Sequence, residues 1–193
     1  MVLNNPTRPD NDYPRILWKA GSAYYRLPGW TSGGSASFLW ATGGGIIYIP
    51  IFVEEDSTYD RIGLRVNVIP GGGGEVLEIR SFQWEEGVPT VLIADYGSVA
   101  VDTIGIKQIV ISQYFPRGYY FLAVRNTAVP GNLDLESFNP AVGFSPPTSG
   151  ISSGPGLGAQ YVVLTKTAAW ADPATAPDGF ESCRGCVLSM RRA

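Results

Sequence analysis

Apolar and polar side chains alternate along much of the middle of the chain, between residues 59 and 126. In the run that begins at Tyr59, aliphatic side chains occupy every second position, and the runs around Leu77 and Ile109 repeat this pattern. Because successive side chains of a strand point to opposite faces, a period of two predicts strands with one buried face. Five runs carry the pattern: YDRIGLRVNV, EVLEIRSFQ, TVLIADYGSVAV, IKQIVISQ and YYFLAVRN.

Glycine and proline separate these runs and supply the turns between them. They occur at 70–74, 87–89, 105, 116–118 and 130–131. Many short strands joined by turns, with no stretch of helical period long enough to cross between parallel neighbours, favour antiparallel packing. The sequence therefore predicts an all-β protein built as an antiparallel β-sandwich, and we favour the jelly-roll variant.

The ends of the chain differ from the middle and divide it into three parts. Residues 1–20 predict an extended N-terminal arm, residues 21–167 the sandwich domain, and residues 168–193 a C-terminal tail. Short strands of the domain are also predicted at 23–27, 37–41, 46–53, 133–138 and 161–165. Pro50 predicts a local irregularity in the strand at 46–53. Residues 140–158 are mostly Gly, Ser and Pro, which is typical of a surface loop. The tail fits a short helix and an irregular arm equally well.

The overall composition limits the classes of partner. The chain has 193 residues, enough for one domain with a sizeable core, and 14 basic against 17 acidic residues. Without a basic stripe for phosphates, nucleic acid is not an expected partner. The longest apolar run, 46–53, contains a proline and is far shorter than the roughly 20 residues that span a bilayer, so no membrane insertion is expected.

The chain contains no histidine. This excludes nucleophilic triads with a histidine base and every metal site with a histidine ligand. Glycoside hydrolysis needs only two carboxylates, and two loops supply them. The candidates are Glu54, Glu55, Asp56, Glu85 and Glu86. Adjacent acids at strand ends are more often a solvated edge, so we predict that the protein is not an enzyme and binds no cofactor.

Two other groups of side chains have metal-ligand chemistry. Cys183 and Cys186 have the spacing of half a zinc site or of a dithiol pair, but the chain offers no second pair of ligands. Free thiols are the favoured interpretation, and a strained local disulfide and an intersubunit site remain open. Acids at 134 and 136, or at 172 and 178, suit calcium, yet no EF-hand loop is present. No metal site is predicted.

Aromatic side chains are the strongest sequence signal for binding, because exposed rings are frequent anchors at interfaces. We expect aromatics within strands, such as Phe38, Phe52, Tyr120 and Phe121, to fill the core instead. The predicted ligand-binding residues are Trp30, Trp84, Glu85 and Glu86. The predicted interface residues are Ile16, Leu17, Trp18 and Trp170.

Three successive segments carry a further pattern of motifs: TYDRIGLRVN, then GEVLEIRSFQWEEGVPTVLIAD, then VDTIGIKQIVISQYFPRGYYFLAVRN. They include an L-x-A-D strand and a P-x-G-x-Y-x-x-A strand, the latter at residues 116–123. Over about residues 46–126 this order resembles a β-sandwich domain of bacteriophage virion proteins, particularly fibre and receptor-binding proteins. The motifs are turn and core residues, so the resemblance bears on fold more than on function.

The resemblance implies a structural protein of a phage particle, located in the virion as a fibre, spike or capsid decoration subunit. Such subunits are often trimeric and sometimes bind glycans of the host surface, so the expected partners are other virion proteins and further copies of this chain. We expect residues 1–20 or 168–193 to dock on neighbouring subunits. The alternatives are a free-standing carbohydrate-binding module that uses Trp30 and Trp84, and a glycosidase that uses the paired acids.

Overall fold

The computed structural model consists of strands joined by turns and bends. It describes residues 37–40, 45–53, 55–69, 75–127, 133–136, 162–167, 170, 174, 179–182 and 188–193, and no helix occurs among them. The paired strands are antiparallel, and two sheets pack against each other through a common core. The predicted all-β antiparallel sandwich is therefore confirmed, whereas the jelly-roll connectivity stays a prediction.

The described residues form eleven strands, and the predicted runs account for most of them. They are β1 (Ser37–Trp40), β2 (Gly45–Val53), β3 (Ser57–Val68), β4 (Val76–Glu85), β5 (Val88–Ala100), β6 (Gly105–Phe115), β7 (Gly118–Asn126), β8 (Leu133–Glu136), β9 (Val162–Thr167), β10 (Gly179–Ser182) and β11 (Ser189–Arg192). The arm at 1–20, the strand predicted at 23–27 and the loop predicted at 140–158 lie outside the described residues.

The two sheets share no strand. In the first sheet, β8 and β11 pair with one side of β3, β1 pairs with β8, and β6 pairs with the other side of β3. The second sheet has the order β10-β9-β2-β7-β4-β5. In the described part of the chain β5 and β6 each pair with one strand only, and they lie against each other. These two consecutive strands therefore form one side of the sandwich.

The core lies between the sheets and consists of the apolar side chains that the period of two selects. Ile62 and Val66 from the first sheet and Leu77 and Ile79 from the second belong to one buried cluster, each with 0% of its surface exposed. Burial of one such side chain contributes about 1.5–3 kcal/mol. This aliphatic layer is therefore the main source of stability.

The second sheet is also covered on its outer face, which a period of two does not predict. Five residues form a second buried cluster there, the outer cluster: Ile46, Tyr48, Phe82, Phe121 and Ala123. Because β2 contributes to both clusters, its sequence is apolar throughout rather than alternating. Trp170 and Ala174 pack on the outer cluster, and the Ala174 amide donates a hydrogen bond to the Thr90 carbonyl at 2.7 Å.

Pro50 does not interrupt β2, so the predicted irregularity was wrong. The register between β2 and β7 is unbroken and places Pro50 opposite Phe121. β9 pairs with β2 only from Gly45 to Tyr48, so β2 has no described neighbour on that side at Pro50. A proline lacks the amide donor, and it is tolerated where a strand has a free edge.

The described part of the tail belongs to the sheets, which corrects the prediction of a short helix or an irregular arm. β10 pairs with β9, and β11 pairs with the middle of β3. Leu188 and Met190 are buried in the main core. Arg191 donates hydrogen bonds to both carboxylate oxygens of Asp60, and these hold the pKa of Asp60 below its usual value. Four-residue strands are too short to show a period of two, so the pattern could not predict them.

One pair of hydroxyl groups is buried beside the aliphatic layer. The hydroxyls of Ser81 and Tyr96 share a hydrogen bond of 2.8 Å, and Ser81 has 0% of its surface exposed. Burial raises the pKa of Tyr96 to about 12, because the phenolate would lose its hydration, although the hydrogen bond with Ser81 acts in the opposite direction.

We predict that Tyr96 makes the free energy of unfolding decrease at alkaline pH. Its pKa is higher in the folded chain than the ordinary value of 10.0, so its contribution is complete below about pH 10 and is lost as the pH rises through the folded value. The loss amounts to roughly 2–3 kcal/mol. Denaturant unfolding between about pH 9 and 12 measures it.

The matched variant for this measurement is Tyr96→Phe combined with Ser81→Ala, because Tyr96→Phe alone leaves a buried hydroxyl without its partner. The double variant should lose less stability over the same pH range than the unchanged chain. Equal losses in the two proteins would show that Tyr96 is not the group responsible.

The contact between β3 and β6 at Gly63 gives a second prediction. A Cβ at Gly63 would lie 2.7 Å from the Lys107 carbonyl oxygen, so Gly63→Ala forces the two strands apart. We expect the free energy of unfolding to fall by about 1–3 kcal/mol in urea titrations. Gly118→Ala is the control, because its Cβ would meet no atom closer than 3.5 Å. Equal stabilities of the two variants would contradict the close approach.

Candidate functional site

Three aromatic side chains form a row across the outer face of the second sheet. The ring centroids of Phe52 and Tyr119 are 4.6 Å apart, and those of Tyr119 and Trp84 are 5.3 Å apart. Both pairs have interplanar angles of 38°. We call Phe52, Tyr119 and Trp84 the aromatic row.

The register of three neighbouring strands produces this row. β2 pairs with β7 so that Phe52 lies opposite Tyr119. The register of β4 with β7 pairs Gln83 with Tyr120, which brings Trp84 beside Tyr119. Side chains at one level of a sheet stand about 4.8 Å apart, close enough for rings to touch. The row lies at the end of the sheet where β2 and β4 finish and β7 begins.

The aromatic row lies at the edge of the outer cluster, where the rings are only partly covered. Trp84 stacks on the buried Phe121, with ring centroids 5.1 Å apart and an interplanar angle of 11°. Tyr119 is 42% exposed, and Phe52 and Trp84 are half-buried. Rings that are fixed by a buried neighbour and open on another side give a preorganised apolar surface.

The acids predicted for ligand binding lie directly beside this row. Glu85 ends β4 and Glu86 follows it in the turn to β5, and both are exposed. Glu86 has φ of 50° and Gly87 of 89°, so two residues in the left-handed region close the hairpin. Trp84, Glu85 and Glu86 thus occur together at one end of the second sheet, and their role in ligand binding stays a prediction. Trp30 lies outside the described residues.

Sequence reasoning missed two members of the row. Phe52 was expected in the core, but it is half-buried and packs on Tyr119. Phe121 is buried in the outer cluster, and Tyr120 packs against the main core as expected. Phe38 is in β1, and its side chain lies outside the described part. The sequence does contain a signal for the position of Phe52. Phe52 lies between Ile51 and Val53, which both face the main core, so its side chain points to the opposite face of β2.

Trp170 lies over a different part of the outer cluster. It stacks on Phe82 with ring centroids 6.1 Å apart, and the Arg80 guanidinium lies 4.5 Å from the centre of its ring. The indole N–H donates a hydrogen bond to the Glu78 carboxylate. Trp170 is thus held within its own chain, and its contact with another subunit stays a prediction. The other predicted interface residues lie outside the described part: Ile16, Leu17 and Trp18.

Acids in the loop between β2 and β3 have structural partners. Asp56 accepts hydrogen bonds from the Arg117 amide at 2.8 Å and the Tyr114 hydroxyl at 3.0 Å, and these hold the pKa of Asp56 below its usual value. The Glu55 carboxylate pairs with Arg192 of β11. Asp56 and Glu55 thus have partners within the chain, and their interpretation as a solvated strand edge stays a prediction. Glu54 lies outside the described residues.

Exposed apolar side chains also occur along the edge strands β5 and β6. Six large apolar side chains that are between 40% and 71% exposed lie on these strands or in the bend that joins them. We call these six side chains the open edge: Val88, Val91, Ile104, Ile106, Val110 and Tyr114. A concentration of exposed apolar side chains on a strand edge is typical of a surface that contacts another molecule.

No protein-family model matches this chain, and neither a curated protein nor a solved structure is significantly similar to it. Within the described ranges, no group of three or more acidic or cysteine side chains is placed to hold a metal ion. No helix in that part of the chain is long and apolar enough to cross a membrane. Cys183, Cys186, Asp172 and Asp178 lie outside the described residues, and Asp134 and Glu136 belong to β8.

Proposed function

We propose that the protein is a structural subunit of a multi-subunit particle, of the kind formed by phage fibre, spike or capsid decoration proteins. The observation that carries the proposal is the open edge, where side chains such as Val110 (71% exposed) and Ile104 (64% exposed) face solvent. Exposed apolar surface gains free energy when a neighbouring subunit covers it.

The internal contacts of the sandwich support a role as a rigid building block. Asp60 pairs with Arg191, and Glu55 pairs with Arg192, so β11 is tied to β3 and to the loop before it. These charges are therefore used to hold the end of the chain in place. A stiff sandwich loses little conformational entropy when it assembles, which favours association.

The N-terminal arm is the second element of the proposal. Residues 1–20 combine many polar residues and prolines with the apolar residues Ile16, Leu17 and Trp18. A segment of this composition gains burial for its apolar side chains by docking on another subunit. The resemblance of residues 46–126 to phage virion sandwiches supports a virion as the particle.

The test is the composition of phage particles released by a culture that produces this chain. Particles purified on a density gradient should contain the chain in a fixed ratio to the other particle proteins, measured by quantitative mass spectrometry. Deletion of residues 1–20 should lower the incorporated amount by about tenfold or more, because anchor residues of an interface typically contribute over 1 kcal/mol each.

Gln83→Ala, an exposed position of β4, is the control and should leave incorporation unchanged. A chain that is found only in the soluble fraction, with none at particle density, would refute the structural role.

A second function, recognition of a glycan, is favoured by the aromatic row. Sugar rings present apolar C–H faces that stack on aromatic rings, and their hydroxyls donate hydrogen bonds to carboxylates. Trp84 offers a ring fixed on Phe121, and Glu85 and Glu86 supply exposed carboxylates beside it. This combination of apolar rings and a few polar groups is the usual composition of small-ligand sites.

We predict that Tyr119→Ala weakens glycan binding by about tenfold or more, equivalent to roughly 1.4 kcal/mol. Tyr119 is the informative position because its ring is 42% exposed, so its removal affects folding less than Trp84→Ala would. A glycan array identifies the ligand, and calorimetric titration measures the affinity. Val91→Ala on the open edge is the control. Equal affinities of Tyr119→Ala and the unchanged chain would exclude the aromatic row.

A further inference from the structure

The ladder between β11 and β3 contains a bulge at Asp60. The register places Arg191 opposite Arg61, and the next residue, Arg192, opposite Tyr59. Asp60 is therefore an extra residue of β3 in this ladder, and such a bulge turns a side chain away from the direction of a regular strand. The Asp60 carboxylate accepts hydrogen bonds from Nε and Nη2 of Arg191. A bidentate ion pair thus joins β11 to β3 at the bulge.

A second ion pair and two apolar side chains also hold β11 in place. Arg192 pairs with Glu55, but the Glu55 side chain is 60% exposed, so water screens this pair. Leu188 and Met190 are buried in the main core. The Asp60 pair is less exposed than the Glu55 pair, since both of its side chains are half-buried. It is therefore the stronger of the two charged contacts of β11.

The arrangement of the strands allows β11 to leave while the two sheets stay folded. β3 also pairs with β6 and with β8, and these two strands keep it in place when β11 is absent. In the described part of the chain β11 itself pairs with β3 alone. All members of the main core except Leu188 and Met190 come from other segments. Local opening of such a segment costs less free energy than unfolding of the whole domain.

We propose that β11 is a releasable strand, which is docked on β3 while Asp60 is ionised and detaches when Asp60 takes up a proton. A neutral carboxyl group cannot form the bidentate ion pair, so the Arg191 guanidinium would remain half-buried without its counter-charge. Release into water restores the hydration of the guanidinium and uncovers the core positions of Leu188 and Met190. This inference is independent of the proposed role in assembly.

The groups around Asp60 determine the pH at which release occurs. The hydrogen bonds from Arg191 hold the pKa of Asp60 below its ordinary value of 3.8, partial burial opposes them, and the charges of Arg191 and Arg61 add to them. On β6 the residues at this level are Ile111 and Ser112, which carry no charge. Because the pKa is lower in the folded chain, the ion pair contributes fully above about pH 4, and its contribution is lost as the pH falls through the folded value.

Asp60→Asn reproduces the uncharged form at neutral pH and tests the release of β11 without acid. Hydrogen exchange, followed by mass spectrometry of peptides, should be about tenfold or more faster for the amides of residues 188–193 in this variant. The amides of β2 and β7, in the middle of the second sheet, should exchange at unchanged rates. Asp102→Asn is the matched control, because Asp102 pairs with Lys107 and not with β11. It should leave the exchange of residues 188–193 unchanged.

Acidification of the unchanged chain tests the role of the proton. When the pH is lowered from neutral to about 3, the exchange of residues 188–193, corrected for the intrinsic rate, should accelerate while β2 and β7 stay protected. The same titration of Asp60→Asn should show only a small part of this acceleration, because the group that takes up the proton is absent. The comparison therefore assigns the pH dependence to one carboxyl group.

Three results would overturn the releasable strand. Equal exchange of residues 188–193 in Asp60→Asn and in the unchanged chain would show that the ion pair does not hold β11. Loss of protection in β2 and β7 together with β11 would show that Asp60 supports the whole sandwich. An equally large effect of acid in Asp60→Asn would assign the pH dependence to other carboxylates. None of these measurements involves another particle protein, so they stand whether or not the chain is found in phage particles.

Discussion

The burial of alternate aliphatic side chains between the two sheets is the interaction on which the rest of the structure depends. Residues such as Ile62 and Leu77 have no exposed surface, and removal of that surface from water is the largest favourable term in folding. Since this layer takes one face of each strand, the opposite faces are left for other contacts. The aromatic row and the exposed side of β6 both belong to these opposite faces.

The two sheets use their outer faces differently. On the second sheet an aromatic cluster is itself buried, and Trp170 covers part of it, with Glu78 accepting the indole N–H and Arg80 lying over the ring. The N–H of a half-buried indole is stabilised by such an acceptor, which explains why charged residues occur on an otherwise apolar face. Among the described residues this cover does not reach the aromatic row, where Tyr119 remains 42% exposed. The outer cluster therefore extends from Phe82, on which Trp170 stacks, to Phe121, on which Trp84 of the aromatic row stacks.

Strand positions followed from the sequence because the period of two is a local property, but contacts between distant segments did not. Trp170 contacts Glu78, far away along the chain, and no local pattern contains that information. Trp84, Glu85 and Glu86 are adjacent in the sequence, whereas Phe52 and Tyr119 lie beside Trp84 only through the register of three strands. The prediction about Pro50 failed for the same reason, since its tolerance depends on where β9 ends. The local pattern of apolar residues thus predicts where strands lie. Which side chains meet at a site depends on how distant strands pair with each other.

The two edge strands differ in the features that keep a further strand from pairing with them. β5 carries a proline, an exposed acid and three register shifts in its ladder to β4, so strand addition there is disfavoured. β6 contains no proline, and its one register shift against β3 falls between Val110 and Gln113. The exposed apolar side chains of β6 lie on the face opposite the aliphatic layer, because Ile109 and Ile111 on the other face pack against the main core. The alternation that builds the core therefore also determines which side chains of this strand are presented to solvent.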